Sequence, residues 1–108
     1  MDIQKNDLEV GDMFWLAIDD KDRVIGSIGY NSIKDTDEVW LHRLFVKYNL
    51  KRQGIGSALL ETVEQYLRKK GKKFVKVHLG GEEFKESRLF YPKHGYVKYR
   101  ERYMVKEL

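Results

Sequence analysis

Residues 44–60, LFVKYNLKRQGIGSALL, run from an apolar stretch into an amphipathic one through a basic loop with two glycines. From Ile55 onward the apolar residues recur at the spacing of one helix face. A helix start presents N–H groups without internal partners and about half a positive charge, so it normally receives an acidic or hydroxyl cap. Here the nearest downstream acid is Glu61, while Lys51 and Arg52 add positive charge. The sequence therefore predicts a helix start that binds an anion such as a phosphate.

The elements on either side of this loop predict a strand, helix, strand crossover. VWLHRLFVK, residues 39–47, is apolar on both faces apart from His42 and Arg43, which indicates a central strand. The helix ends in basic residues followed by Gly71, a typical left-handed stop. FVKVHL, residues 74–79, alternates as a strand. Two strands joined through a helix run parallel, so the glycine loop should lie at the carboxyl edge of the sheet, where such folds bind ligands.

The segment before this crossover predicts a β-hairpin. Two apolar runs, MFWLAI at residues 13–18 and VIGSIGY at residues 24–30, flank an Asp-rich turn. Gly26 and Gly29 inside the second run indicate a bulge or a close backbone neighbour. On the helix, Glu64 and Arg68 are spaced for an ion pair on the solvent face.

The remaining segments complete the chain. EEFKESRLF, residues 82–90, predicts a second helix, and Pro92 predicts that this helix ends at or before Tyr91. Residues 96–105 predict one strand or two closely joined ones. We therefore expect one α/β (α+β) domain over residues 1–108, with a mixed sheet and the element order βββαβαβ.

Composition excludes several classes of function. The chain has no cysteine, so disulfides, thiolate catalysis and cysteine-ligated metals are excluded. No apolar run approaches the ~20 residues of a membrane span, and the start does not resemble a signal peptide, so we expect a cytoplasmic protein without a membrane partner. The three histidines lack a carboxylate constellation that would indicate a metal site. Residues 1–40 carry a net charge of −6 and residues 41–108 a net charge of +10, which places an anionic ligand in the second part.

Neither common phosphate-binding motif fits the glycine loop. The Gly-Lys-Ser/Thr of a P-loop is absent, and Leu59 stands where a dinucleotide fingerprint has its third glycine. The loop instead resembles the acyl-CoA-binding segment of the GNAT superfamily of N-acetyltransferases. In that family a strand ending in an apolar triplet precedes Gln or Arg, two further residues, Gly-x-Gly/Ala and a helix. FYPKHGY, residues 90–96, resembles the family's second recurrent segment, an apolar residue and Tyr followed after three residues by Gly and an aromatic. The resemblance covers most of residues 13–108.

The resemblance implies a GNAT-like sheet with a central β-α-β cofactor-binding unit and transfer of an acetyl group from acetyl-CoA to an amine. The cofactor-binding residues that it implies act through their backbone, and they are Leu44, Phe45, Val46, Arg52, Gln53, Gly54, Ile55, Gly56 and Ser57. Residues 52–57 would hold the pyrophosphate, and residues 44–46 would pair with the pantetheine arm. The Val46 N–H would face the thioester oxygen as an oxyanion-type donor. Tyr91 would be the acid that protonates the leaving thiolate.

An acetyl transfer of this kind needs one base for the amine proton. His42 and Glu38 are candidates, acting directly or through water. Three positions depart from the family pattern. Lys51 replaces its Gln or Arg, Trp40 stands where many members have a glutamate base, and Phe84 falls where many have an asparagine that contacts the CoA arm.

The front of the chain departs as well. Family members usually begin with another strand and two helices, whereas only MDIQKNDLEVG precedes the hairpin here. The chain thus resembles a member shortened at its N-terminus, whose open sheet edge a second copy would cover. We therefore expect a homodimer.

Two other functions fit parts of the sequence. The chain could bind acyl-CoA as a sensor without turnover. It could also bind nucleic acid through RKKGKK, residues 68–73, and KYRERY, residues 98–103, although the first is more simply a basic helix C-terminus, so no nucleic-acid partner is expected. The expected acceptor is a small-molecule or peptide amine. The acidic turns DDKD and DTDE would favour a cationic amine such as a polyamine if they lie on the acceptor side, and are otherwise ordinary solvated loops.

Overall fold

The structure is a computed structural model, and it describes residues 1–7, 13–50, 53–80 and 84–108, without the side chains of residues 7, 43, 48 and 84–87. These residues form a seven-stranded sheet and two α-helices. The strands are β1 (Asp2–Asp7), β2 (Met13–Ile18), β3 (Val24–Ser32), β4 (Glu38–Val46), β5 (Phe74–His78), β6 (Val97–Arg100) and β7 (Tyr103–Glu107). The helices are α1 (Ile55–Lys69) and α2 (Phe84–Lys93), and one 3-10 turn spans Tyr48–Leu50.

The strands lie in the order β1-β2-β3-β4-β5-β7-β6, which makes the sheet mixed. β4 and β5 run parallel and are joined through α1, while the other neighbouring strands run antiparallel. β4 therefore occupies the centre of the sheet. The predicted fold class, hairpin, central strand and parallel crossover are confirmed.

The predicted element order was incomplete at both ends, because the structure shows ββββαβαββ. β1 was not predicted, since its sequence DIQKND is polar and carries no apolar alternation. It forms because the outer edge of β2 supplies a full register of partners, from Asp2 opposite Ile18 to Asp7 opposite Met13. The C-terminal segment is two strands, β6 and β7, separated by a turn in which Arg102 has a φ of 63°.

The core lies between the sheet and one face of α1. The helix residues buried there are Ile55, Leu59, Leu60, Val63 and Leu67. Gly26 of β3 lets the helix come close, because a Cβ at that position would lie 3.0 Å from the Leu59 Cδ1 atom. Fully burying an aliphatic side chain of this size stabilises a fold by about 1.5–3 kcal/mol. The packing of this face thus fixes the position of the start of α1 relative to the sheet.

α1 ends as predicted. The Gly71 φ is 79°, its N–H donates to the Arg68 carbonyl, and the Lys72 N–H donates to the Leu67 carbonyl. This is the Schellman arrangement that satisfies the last helical carbonyls. The Lys72 ammonium also donates to the Thr36 carbonyl at 3.2 Å, so part of the RKKGKK segment stabilises the fold.

The prediction that Glu64 forms a surface ion pair was wrong. Glu64 is 3% exposed and lies on the buried side of α1. Its carboxylate accepts a hydrogen bond of 2.9 Å from the Lys106 ammonium on β7 and one of 2.8 Å from the Tyr96 hydroxyl. Burial, and next the Glu64 carboxylate, raise the pKa of Tyr96. These three residues, hereafter the buried ionic cluster, join α1 to the C-terminal strands.

The prediction that α2 ends at or before Tyr91 was also wrong, because the helix continues to Lys93 with Pro92 inside it. Proline in the last turn removes one backbone hydrogen bond, but hydrogen bonds from residues that follow the helix close this turn. The Gly95 N–H donates to the Pro92 carbonyl, and the Tyr96 N–H donates to the Tyr91 carbonyl, both at 3.2 Å. The Gly95 φ of 90° permits this second Schellman ending. Tertiary closure therefore outweighs the local preference of proline.

Candidate functional site

The two central strands separate where the parallel pairing ends. β4 and β5 pair from Glu38 opposite Phe74 to Trp40 opposite Lys76, and no further. Beyond that point β4 stays paired with β3 up to Val46, while β5 stays paired with β7 up to its last residue. The gap between residues 41–46 of β4 and residues 77–78 of β5 is hereafter called the fork. It leaves one edge of β4 without a strand neighbour.

A β-bulge in β4 accompanies the fork. Gly29 of β3 pairs with His42, and Ser27 pairs with Phe45, so two steps along β3 match three steps along β4. One extra residue on one strand bends that strand and increases its twist. The bulge explains why β4 turns away from β5 immediately after the last shared pair.

Residues 44–46, the predicted contacts of the pantetheine arm, line the fork side of β4. The N–H of Lys47 donates to the Ile25 carbonyl on β3 at 2.9 Å. Because peptide groups along a strand point alternately to its two edges, the N–H of Val46 points away from β3 and towards the fork. Leu44 and Val46 are partly buried against the core, while Phe45 is exposed.

The start of α1 carries no cap. Gly54 precedes the helix in a left-handed conformation with a φ of 81° and a ψ of 4°, and among the described residues no side chain caps the helix start by a hydrogen bond. The first turn contains no acid, and the first helical bond runs from the Ala58 N–H to the Gly54 carbonyl. The N–H groups of Ile55, Gly56 and Ser57 therefore have no intrahelical acceptor. Gln53 is exposed, whereas Arg52 and Lys51 lie outside the described residues.

The C-terminal half of α2 packs beside this helix start. The Ser57 Oγ lies 3.1 Å from the His94 Nε2, so the Ser57 hydroxyl faces His94 instead of capping the helix. The Phe90 ring would lie 3.5 Å from a Cβ at Gly56, which leaves the helix start close to an aromatic wall. Phe90 and His94 were not predicted as neighbours of the glycine loop. Their spacing of four residues, from the last turn of α2 to the residue that follows it, was the available signal.

A groove of about 400 Å³ opens beside the helix start. Its lining residues are Met1, Asp19, Arg23, Ile25, Lys47, Asn49, Leu50, Gln53 and Ile55. The Arg23 guanidinium pairs with the Asp19 carboxylate at 2.9 Å. A hydrogen bond from the Arg23 N–H is the main cause that holds the pKa of Asp19 below its ordinary value; burial opposes it, and a hydrogen bond from the Lys21 N–H adds to it. The groove thus supplies Lys47 as a cation near the helix start.

The predicted acid and bases lie in different settings. Tyr91 is buried, and its ring contacts those of Phe90 and Tyr96 at 5.2 Å between centroids. Glu38 forms an ion pair with Lys76 at 2.8 Å, in the part of β4 that precedes the fork. His42 lies two residues beyond the last paired residue, partly buried against Gly29. The side chain of Phe84 lies outside the described part of the chain.

Comparison with known proteins identifies the family to which this chain belongs. Residues 11–98 match the model of the acetyltransferase (GNAT) domain. The chain belongs to the GNAT acetyltransferase family. No curated protein matches it in sequence.

Solved structures share the fold of this GNAT domain. An acetyltransferase of the GNAT family from Staphylococcus aureus Mu50 superposes with a TM-score of 0.86 at 21% identity, covering 95% of this chain and 72% of that one. The PaiA N-acetyltransferase from Thermoplasma acidophilum, solved in complex with coenzyme A, has a TM-score of 0.76 at 24% identity, covering 88% and 60%. The IAA acetyltransferase from Bacillus cereus ATCC 14579 has a TM-score of 0.80 at 14% identity and covers 98% of both chains. Family membership supports acyl-CoA-dependent acetyl transfer in general.

The residues of this GNAT domain fit an acyl-CoA. The uncapped start of α1 offers N–H groups to a pyrophosphate, and an added Cβ at Gly54 would have no atom of the described residues within 4 Å, so these residues leave the backbone accessible there. The unpaired edge of β4 offers peptide groups to an extended amide chain. In the described residues, no three His, Asp or Glu side chains group as a metal site.

No helix in the described segments is long and apolar enough to cross a membrane.

Proposed function

We propose that this protein is an N-acetyltransferase that moves the acetyl group of acetyl-CoA to an amine by direct attack in a ternary complex. The observation that carries the proposal is the uncapped start of α1 beside a fork that exposes one edge of β4. An anion at a helix start gains both unpaired N–H donors and the helix dipole. The two features lie next to each other in the chain, as one extended cofactor with a charged end requires.

The cofactor contacts follow the chain. The N–H groups of residues 52–57 bind the pyrophosphate, and Lys47 at the neighbouring groove adds a positive charge. Residues 44–46 bind the pantetheine arm along the free edge of β4. The Val46 N–H, which points into the fork, donates to the thioester oxygen and stabilises the charge that develops there.

Acetyl-CoA supplies an activated acetyl group, which a neutral amine attacks when the two are aligned. The chain's own residues hold both reactants and move two protons. Tyr91 donates its hydroxyl proton to the leaving sulfur. His42 takes the proton from the amine, because Glu38 is already paired with Lys76 while His42 lies beyond the last β4–β5 pair. Alignment and oxyanion stabilisation supply most of the acceleration.

Substituting Tyr91 by Phe separates an enzyme from an acyl-CoA sensor. We expect the kcat for acetyl transfer to fall at least ~100-fold, because a positioned general acid contributes roughly 10²–10⁴. The KM for acetyl-CoA should change less than about twofold, since the ring and its contacts remain. Thiol release from acetyl-CoA in the presence of a panel of amines measures both constants.

Tyr66→Phe is the matched control for Tyr91→Phe. Tyr66 is a partly buried tyrosine of α1 whose ring packs against those of Trp15 on β2 and Tyr30 on β3. It should keep the native kcat. Turnover by Tyr91→Phe within about threefold of the native rate would remove Tyr91 from the mechanism. Acetyl-CoA binding with no thiol release by the native chain would favour the sensor.

A further inference from the structure

Four rings gather on the sheet face opposite α1. Tyr103 contacts the rings of Trp40, His78 and Tyr99, with centroid distances of 5.7, 4.8 and 5.9 Å. We call these four residues the ring platform. They face away from the helices, because Val75 and Val77 are buried in the core and the residues that alternate with them in β5, including His78, point to the other side.

The ring platform borders the fork. Trp40 is the last residue of β4 that pairs with β5, and His78 is the last residue of β5. Tyr103 lies beside His78 in the register of β5 with β7. These residues are far apart in the sequence, since they come from β4, β5 and the β6–β7 hairpin, and no local pattern predicts that they meet.

The position of the ring platform bears on how an amine acceptor approaches the thioester, and this inference rests on the proposed function. The helix start and Ser57 lie on the face that α1 covers, so acetyl-CoA enters the fork from that face. The amine must reach the thioester carbonyl carbon of acetyl-CoA from a side that the pantetheine arm does not occupy. The opposite face of the fork, which carries the ring platform, provides that direction.

The charges around the platform disfavour polyamines. The Lys76 ammonium lies 5.9 Å from the Trp40 ring centroid and 5.6 Å from that of Tyr99, and the Arg100 guanidinium lies 4.5 Å from the Tyr103 ring. Because Glu38 pairs with Lys76 at 2.8 Å, Arg100 is the cation that repels a second or third ammonium group on an acceptor. Flat rings offer stacking surface to another flat ring.

The acidic turn DTDE reaches the ring platform through Glu38, which already pairs with Lys76 at 2.8 Å. Asp19 is paired with Arg23 in the β2–β3 turn, and Asp37 lies 4.0 Å from Lys73 in the β3–β4 turn. The two turns are at opposite ends of β3, so they do not form one acidic surface.

We propose that the ring platform is the acceptor-binding surface and that it takes monoamines carried on a flat aromatic body. The amine reaches through the fork while the aromatic body lies against Trp40 and Tyr103. Arg100 at the margin disfavours acceptors with several positive charges.

The test compares three acceptors, namely tryptamine, n-butylamine and spermidine, at saturating acetyl-CoA. We expect kcat/KM for tryptamine to exceed that for each of the others at least tenfold. Tyr103→Leu and Tyr99→Leu should each reduce the tryptamine value at least fivefold and leave the acetyl-CoA KM unchanged. Tyr99 is 42% exposed, so its variant should fold even if the Tyr103 variant does not.

Phe74→Leu is the matched control, because Phe74 is an exposed ring at the other end of β5, before the fork. It should retain the native preference. A higher kcat/KM for spermidine or n-butylamine than for tryptamine would overturn the inference and leave the proposed function intact. So would unchanged tryptamine turnover in both platform variants. Absence of thiol release with every amine would instead overturn the proposed function, and the acceptor surface with it.

Discussion

Lys106→Met is expected to lower the free energy of unfolding by about 3 kcal/mol. The substitution removes the ammonium that pairs with Glu64 in the buried ionic cluster. The Glu64 carboxylate then stays buried, and within the cluster it keeps one hydrogen-bond donor, the Tyr96 hydroxyl. Removing one partner of a buried ion pair costs roughly 3–5 kcal/mol, because the other charge stays desolvated. The lower end applies since the Lys106 side chain is 19% exposed. A chain of this size should lose about 10–20 °C in Tm, as measured by thermal and urea unfolding.

The matched control removes the whole cluster. The triple variant Lys106→Met, Glu64→Leu and Tyr96→Phe replaces the charges with apolar groups of similar size and should recover most of the loss, because apolar replacement of a buried ion pair is often neutral or stabilising. A Tm for Lys106→Met within about 2 °C of the native value would contradict the role assigned to the cluster.

Ser57→Asp is expected to weaken acetyl-CoA binding on the order of 100-fold while the fold gains stability. A carboxylate in the first turn of α1 complements the helix dipole, which stabilises a helix by about 0.3–1 kcal/mol. The same carboxylate occupies the N–H donors of the helix start and repels a pyrophosphate, and two like charges ~4 Å apart near a protein surface repel by up to about 4 kcal/mol. Calorimetric titration of this variant should therefore show weaker acetyl-CoA binding, while thermal unfolding should show a higher Tm.

Ser57→Asn controls for the lost hydroxyl, which lies 3.1 Å from the His94 Nε2. Asparagine has nearly the shape of aspartate and no charge, so its acetyl-CoA affinity should stay within about fivefold of native, since most of the loss is electrostatic. Equal losses in the Asp and Asn variants would show that the hydroxyl, and not the unneutralised helix start, matters for binding.

The parts of the fold with local signals were predictable. α1 follows from the apolar periodicity after Ile55, its end follows from Gly71, and the hairpin follows from two apolar runs around an acidic turn. The uncapped helix start could also be predicted from the sequence, because it depends only on which residues stand in the first turn. Such features are decided by neighbours within about one helical turn or one β-turn.

The features that were missed depend on distant residues. Glu64 is spaced correctly for a surface pair with Arg68, yet its partner Lys106 lies 42 residues away. Pro92 fits in α2 because Gly95 and Tyr96 close the last turn. β1 exists because β2 offers an edge, and its own sequence carries no strand pattern. The fork and the ring platform arise only when β4, β5 and β7 are brought together.

The central claim is that the uncapped start of α1 binds the pyrophosphate of acetyl-CoA, and calorimetric titration of the native chain tests it most directly. Acetyl-CoA and acetyl-pantetheine, which lacks the pyrophosphate and the nucleotide, would be compared under the same conditions. We expect one acetyl-CoA site per chain with a Kd in the micromolar range, and acetyl-pantetheine weaker by at least 100-fold, equivalent to about 2.7 kcal/mol. Equal affinity for the two ligands, or no acetyl-CoA binding up to millimolar concentration, would contradict the claim.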